Sequence, residues 1–156
     1  MRGTNSIRVG IALTLGAIIA VGCGRGPDGS GASVRFSTAS GDVVASPIEV
    51  PTTAEEFERG LMGRRRLDPN GGMVFMFKEP SRTAFWMKDT LIPLSIAFWD
   101  ARGRIVDILD MEPCRKDPCP TYTPAADYVS ALEMRRGYFA EHGIRVGDHA
   151  EVELDE

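Results

Sequence analysis

The chain is poor in the residues that most chemistry needs. Of its 156 residues only two are histidine, His142 and His149. Neither has a flanking motif that marks a general base, and no Ser-His-Asp arrangement can be assembled. The six residues between them exceed zinc-finger spacing, so no metal site is expected. No Gly-rich phosphate loop is present; Gly71-Gly72-Met73 reads as a turn, and no cofactor is expected. Basic residues number 18 against 22 acidic, a net charge of −4. Phosphate contacts need clustered Lys and Arg, so nucleic acid is excluded as a general partner. The N-terminal uncharged run, Val9 to Gly22, has 14 residues. A membrane span needs about 20 apolar residues. Cysteine is scarce too, at three.

What is present first concerns destination. Arg2 and Arg8 precede the uncharged run, which has the length of a signal-peptide core. The run ends in Ala20-Val21-Gly22-Cys23, which resembles the lipobox of bacterial lipoproteins. That resemblance implies cleavage after residue 22 and lipidation of Cys23, with the membrane as a partner through the lipid. Cleavage leaves 16 basic against 22 acidic residues, a charge of −6. Residues 24–33, GRGPDGSGAS, are too rich in Gly, Ser and Pro to bury a core, and read as a flexible spacer. The expected organisation is a signal peptide over 1–22, a lipidated cysteine and linker over 23–33, and one domain over 34–156. The expected location is the cell envelope, on the periplasmic face. Gly24 in place of Asp favours the outer membrane if the cell is Gram-negative.

Within the domain, short extended segments dominate. Val34 to Ser37 and Asp42 to Val50 read as strands, the second interrupted by Pro47. Thr52 with Glu55, and Thr53 with Glu56, fit a capping box that opens a helix. Ala54, Phe57, Leu61 and Met62 give it an apolar face, and Arg64 to Arg66 sit at its C-terminal end, favourable to the dipole. Met73 to Phe77, Ala84 to Met87, Ile96 to Asp100, Ile105 to Met111, Asp127 to Met134 and His149 to Leu154 read as further strands. The pair flanking Ala101-Arg102-Gly103-Arg104 reads as a hairpin whose second strand is largely buried. Glu112 to Pro124 reads as a loop, and Tyr138 to His142 as a helical turn ended by Gly143. The expected fold is mainly β (α+β): a compact antiparallel sandwich or barrel with one or two short helices.

Several of these blocks occur together in a known family. GLMGRRRL at 60–67, GGMVFMF at 71–77, FWMKDTLIPLSIAFWD at 85–100 and ALEMRRGYFAEHGIRVGD at 131–148 resemble the family catalogued as domain of unknown function 192. The family commonly has Asn where Asp89 stands and Asp where Ser95 stands. The resemblance implies a compact β-rich fold and no activity.

Three groups of residues carry candidate chemistry. Cys114 and Cys119 are an even remainder once Cys23 is lipidated, and an exported protein is expected to join them as a disulfide. Strand alternation places Trp86 and Lys88 on one face and Phe85 and Met87 on the other. With Asp89 and Thr90 they offer an aromatic wall with a cationic tip, or a core Trp beside a Lys covering apolar surface. Glu133 stands between Leu132 and Met134, where burial is costly without a partner; Arg64 and Lys88 are natural partners. The methionines left after export lie in apolar contexts and read as core. The favoured function is an uncharacterised lipid-anchored envelope module that binds a small molecule or envelope component. The alternatives are a structural or protein-interaction module, and a hydrolase using Glu133 or Asp89.

Overall fold

The computed structural model describes residues 30–155. The segment read as a signal peptide, Cys23 and the start of the segment read as spacer lie outside the described residues. Nine strands and two short helices follow in the order β1 (Ser30–Thr38), β2 (Gly41–Val50), α1 (Ala54–Arg59), β3 (Gly72–Ser81), β4 (Phe85–Trp86), β5 (Leu94–Trp99), β6 (Ile105–Met111), β7 (Thr121–Tyr122), β8 (Tyr128–Arg135), α2 (Tyr138–Glu141) and β9 (His149–Leu154). β1 therefore begins four residues before the expected domain start, within the segment read as spacer.

The mainly-β expectation holds, and its details change. Seven strands form one sheet in the order β6-β5-β8-β3-β2-β1-β9, and β4 pairs with β7 in a separate two-stranded ribbon. The large sheet is mixed rather than antiparallel, because β2 and β3 run parallel where Ile48 faces Gly72. The α1 segment supplies the crossover that a parallel pair requires. The sheet curls but stays open rather than closing as a barrel. A single bridge between Arg104 and His149 brings its two edges together at one corner.

The β5–β6 hairpin forms where the turn residues place it. Asp100 accepts from the Arg102 and Arg104 amides at 2.9 and 3.0 Å, and Gly103 takes the positive φ of 76° that the turn needs. The burial of the two strands reverses the expectation. All six β5 residues are buried, since β5 lies between β6 and β8. β6 is an edge strand with only Ile105 and Met111 buried.

Alternation along β3, β5 and β8 divides the interior into two cores. Val74, Ala97, Leu132 and Met134 face a core completed by β1, β2, β9 and α2. Met73, Phe75, Ile96, Phe98 and Ala131 face the other, which Leu61 and Met87 cover together with half-buried Phe57 and Phe85. That second cover is made of short pieces. α1 has six residues and each strand of the ribbon has two.

Candidate functional site

α1 begins with the capping box expected from Thr53 and Glu56. The Thr53 hydroxyl accepts from the Glu56 amide at 3.2 Å, and the Glu56 carboxylate accepts from the Thr53 amide at 3.2 Å. Glu56 also accepts from the Thr52 amide and hydroxyl, so Thr52 pairs with Glu56 and not with Glu55. The helix stops at Gly60, whose φ of 48° suits glycine. A Cβ there would lie 3.3 Å from the Phe75 ring. Glycine thus ends the helix and lets it settle on β3. Arg64 to Arg66 lie beyond this end, so they do not serve the helix dipole as expected. Arg64 instead pairs with Glu49 at 2.5 Å.

Beneath α1 and the β4–β7 ribbon lies a cavity of about 150 Å³. Phe57 from α1, Phe75 and Phe77 from β3, and Phe85 and Trp86 from β4 supply its aromatic walls. Phe57 meets Phe75 and Phe77 edge-to-face at centroid separations of 5.2 Å, and Phe75 meets Phe85 at 5.4 Å. Such arrangements satisfy ring quadrupoles and fix the walls against one another. Trp86 is 44% exposed and forms the rim.

Glu133 lines the same cavity from β8 and is 5% exposed. Its cross-strand neighbours are Met73 on β3 and Ile96 on β5, both buried and apolar. The expected partners do not reach it. Arg64 is held by Glu49, and Lys88 lies over the Trp86 ring with Nζ 5.3 Å from its centroid. Among the described residues, no ion pair or side-chain hydrogen bond ends on the Glu133 carboxyl. Burial alone pushes its pKa up to about 8, because charge is disfavoured in this apolar setting. At neutral pH Glu133 is therefore mainly a neutral acid.

The residues singled out by sequence are thus only partly brought together. Trp86, Thr90 and Glu133 line the cavity; Lys88, Asp89 and Arg64 do not. The alternation read from sequence places Met87 in the core and Lys88 on the Trp86 side, as observed. Asp89 adopts a φ of 52°, and its carbonyl accepts from the Gly63 amide at 2.9 Å. It shapes a turn that ties the ribbon to the chain after α1. Thr90 is buried and donates to the Lys88 carbonyl at 3.3 Å.

Ser95, where the resembled family commonly has Asp, lies on the opposite sheet face from Glu133. Its hydroxyl donates to Asp110 at 2.5 Å and accepts from the Gly137 amide at 2.9 Å. Ser95 and Asp110 are cross-strand partners on β5 and β6. The carboxylate at this corner therefore comes from Asp110, not from Asp89.

Cys114 and Cys119 form the expected disulfide, with Cα atoms 5.4 Å apart. Asp117 lies near both sulfurs, but a disulfide offers no thiolate to a metal. The bond closes the start of the segment read wholly as loop, which in fact contains β7. The Cys114 amide donates to the Met87 carbonyl at 3.4 Å, and Phe85 and Trp86 pair with Tyr122 and Thr121. The disulfide thus steadies the wall that carries Trp86. Sequence reasoning missed the four phenylalanine walls. Phe57, Phe75 and Phe77 stand in segments whose apolar patterns give core and cavity lining the same signature.

The DUF192 family profile, described as Uncharacterized ACR, matches residues 36–152. A crystal structure of a protein of unknown function from Novosphingobium aromaticivorans DSM 12444 is similar at 32% identity and a TM-score of 0.69, covering 76% of this chain and 83% of that one. A second, named a putative transcription regulator from Sinorhizobium meliloti 1021, is similar at 30% identity and a TM-score of 0.68, covering 81% and 98%. No curated protein matches the chain. With the family profile spanning most of the domain and two such relatives sharing its fold, the chain belongs to the DUF192 family.

Proposed function

We propose that this protein is an exported, lipid-anchored module of the cell envelope that holds a small organic molecule in the Glu133 cavity. One observation carries the binding role: a buried carboxyl with no protein partner stands inside a space walled by aromatic rings. A buried polar group without a hydrogen bond costs free energy. Proteins keep such groups where a ligand completes them, and binding pockets combine apolar walls with few convergent polar groups. The cavity suits a single ring or a short branched chain, because about 150 Å³ accommodates a benzene-sized guest. The anchoring role rests on the signal segment and Cys23.

Two other readings have less support. Hydrolysis by a carboxylate needs a nucleophile or second acid held beside it. Among the described residues, Glu58 is the one other acid lining the cavity; it is exposed on α1 and makes no contact with Glu133 that would pair the two. The regulator name of the Sinorhizobium relative does not carry over readily either, because an acidic chain is a poor binder of nucleic-acid phosphates.

The test uses the full chain in a nonionic detergent, screened by thermal shift against a panel of single-ring organic molecules. Members of the panel are expected to raise the melting temperature, and Trp86→Ala to abolish the rise. A panel with no effect overturns the binding role. Mass spectrometry of the protein taken from its own membranes is expected to find acyl chains on Cys23. An unmodified Cys23 overturns the anchoring role.

A further inference from the structure

We propose that the ligand of the Glu133 cavity is an organic cation, a primary or secondary ammonium carried on a small apolar or aromatic body. The inference rests on the cavity being a binding site and adds the charge of its occupant. Three features of the geometry point to it.

The first is the shape of the polar complement. Glu133 is the deep polar group, and the remaining polar groups do not favour an anion. From α1, Glu58 and Arg59 line the cavity with opposite charges, and neither forms an ion pair with Glu133. From the segment after β4, Lys88 is engaged by Trp86. From the strands beside β8, the neighbours of Glu133 are Met73 and Ile96, which carry no charge. Tyr128 on the same strand already donates its hydroxyl to the Thr83 carbonyl at 2.8 Å. An anion would meet a buried carboxyl, and Arg59, adjacent in sequence to the acidic Glu58 on α1, is the one cation among the described lining residues.

The second is the wall. The faces of aromatic rings carry partial negative charge and attract ammonium groups within about 6 Å. Trp86 already holds the Lys88 ammonium at 5.3 Å, so a cation at its surface is part of the native structure. Phenylalanine rings around a carboxylate combine cation–π attraction with an ion pair in a site of low polarity.

The third is the state of the carboxyl. Glu133 carries a proton in the unliganded protein at neutral pH, because burial holds its pKa near 8. An incoming ammonium favours the carboxylate, so binding expels that proton to solvent and leaves an ion pair. Well below pH 8, affinity should therefore rise about tenfold per pH unit with close to one proton released per ligand bound, and the release should fall to about half a proton at pH 8.

The experiment compares benzylamine, benzyl alcohol and benzoate, which share a ring and differ in charge. Each is titrated calorimetrically into the full chain at pH 6, 7 and 8, in buffers of different ionisation enthalpy. Benzylamine is expected to bind at least tenfold more tightly than benzyl alcohol at pH 8, to gain affinity with pH and to release a proton. Benzoate is expected not to bind. Glu133→Gln should remove the benzylamine preference and its pH dependence, bringing the affinity of the amine down to that of the alcohol in the same variant. Trp86→Leu, on the exposed rim, should weaken benzylamine severalfold without altering proton release, which separates ligand recognition from a folding defect at Glu133. Equal binding of amine and alcohol, or benzoate binding best, overturns the cation inference and leaves the cavity as a binding site. Binding of none of the three overturns the inference, and the binding role falls with it if the wider panel is also silent.

Discussion

The two faces of β3, β5 and β8 come from the same alternating strands and carry opposite kinds of interior. On one face, Val74, Ala97, Leu132 and Met134 are covered by three long strands and α2, and the packing is continuous. Phe36 and Phe139 meet there edge-to-face at 6.0 Å. On the other, the cover consists of one six-residue helix and a two-residue ribbon, with a cavity beneath. Each face also carries a buried residue whose polar group has no hydrogen-bond partner, fully enclosed on one face and open to the cavity on the other. On the closed face it is the Tyr138 hydroxyl, which has no lining residue role in the cavity. On the other it is the Glu133 carboxyl, which does. A long paired strand fills space row by row, while short segments joined by turns leave gaps between their side chains. The difference in cover therefore decides which orphaned group a ligand can reach.

The largest expected effect lies on the closed face. Phe139→Ala removes a fully buried ring that packs on Phe36 and Tyr138. It should cost about 3–5 kcal/mol, the usual range for a core phenylalanine. Phe57→Ala, on the cavity side, should cost less, because Phe57 is half-buried and borders existing empty space. Urea denaturation of both variants measures the difference. Equal losses would mean that the cavity cover is packed as tightly as the closed core.

The next effect depends on pH and comes from Glu133. Its folded pKa of about 8 exceeds the ordinary carboxylate value of 4.5. Between those values the folded chain holds a proton that the unfolded chain releases, so stability falls as pH rises through this window. Glu133→Gln removes the titration. Relative to the wild type it should gain about 3 kcal/mol between pH 5 and pH 8. Denaturation curves at pH 5, 6.5 and 8 read this directly, and parallel pH profiles would contradict a buried, unpaired carboxyl. The acid limb has other owners. Hydrogen bonds from Thr52, Arg135 and Arg35 lower the pKa values of Glu56, Glu141 and Glu153 respectively. Their contributions are present above 4.5 and vanish as pH falls below it, outside the Glu133 window.

The closed face was largely legible in the sequence, and the cavity face was not. The short apolar runs Met73 to Phe77 and Ile96 to Asp100, with the Gly103 turn, give buried strands, and the hairpin pairing of the second follows from ordinary turn rules. The capping box of Thr53 and Glu56 is equally local. What alternation cannot express is strand order: β5 becomes central and β6 an edge because β8 pairs with β5 across 30 intervening residues. The same holds for the site. Glu133 in an apolar strand signals a buried acid. Its partner depends on where Arg64 points, and Glu49, 15 residues earlier, holds that side chain. β7 escaped notice because two residues in a Pro-rich stretch carry no period.

The smallest expected effect tests whether the cavity cover is held locally. α1 buries none of its own six residues, and a helix that short has little stability of its own in water. Its position must come from its ends and from contacts by half-buried side chains such as Phe57. Thr53→Ala removes the hydroxyl that accepts from the Glu56 amide, and loss of such a cap costs about 1 kcal/mol. If the cover is a locally tied piece, that loss should be concentrated there. Hydrogen exchange should quicken at the Phe57 and Gly60 amides, which bond back to Thr53 and Glu56. Amides in β5 and β8 should keep their protection, because both strands are paired on each side. Uniform quickening across the sheet would mean that α1 is cooperative with the whole fold, and the contrast between the two faces would then be one of packing alone.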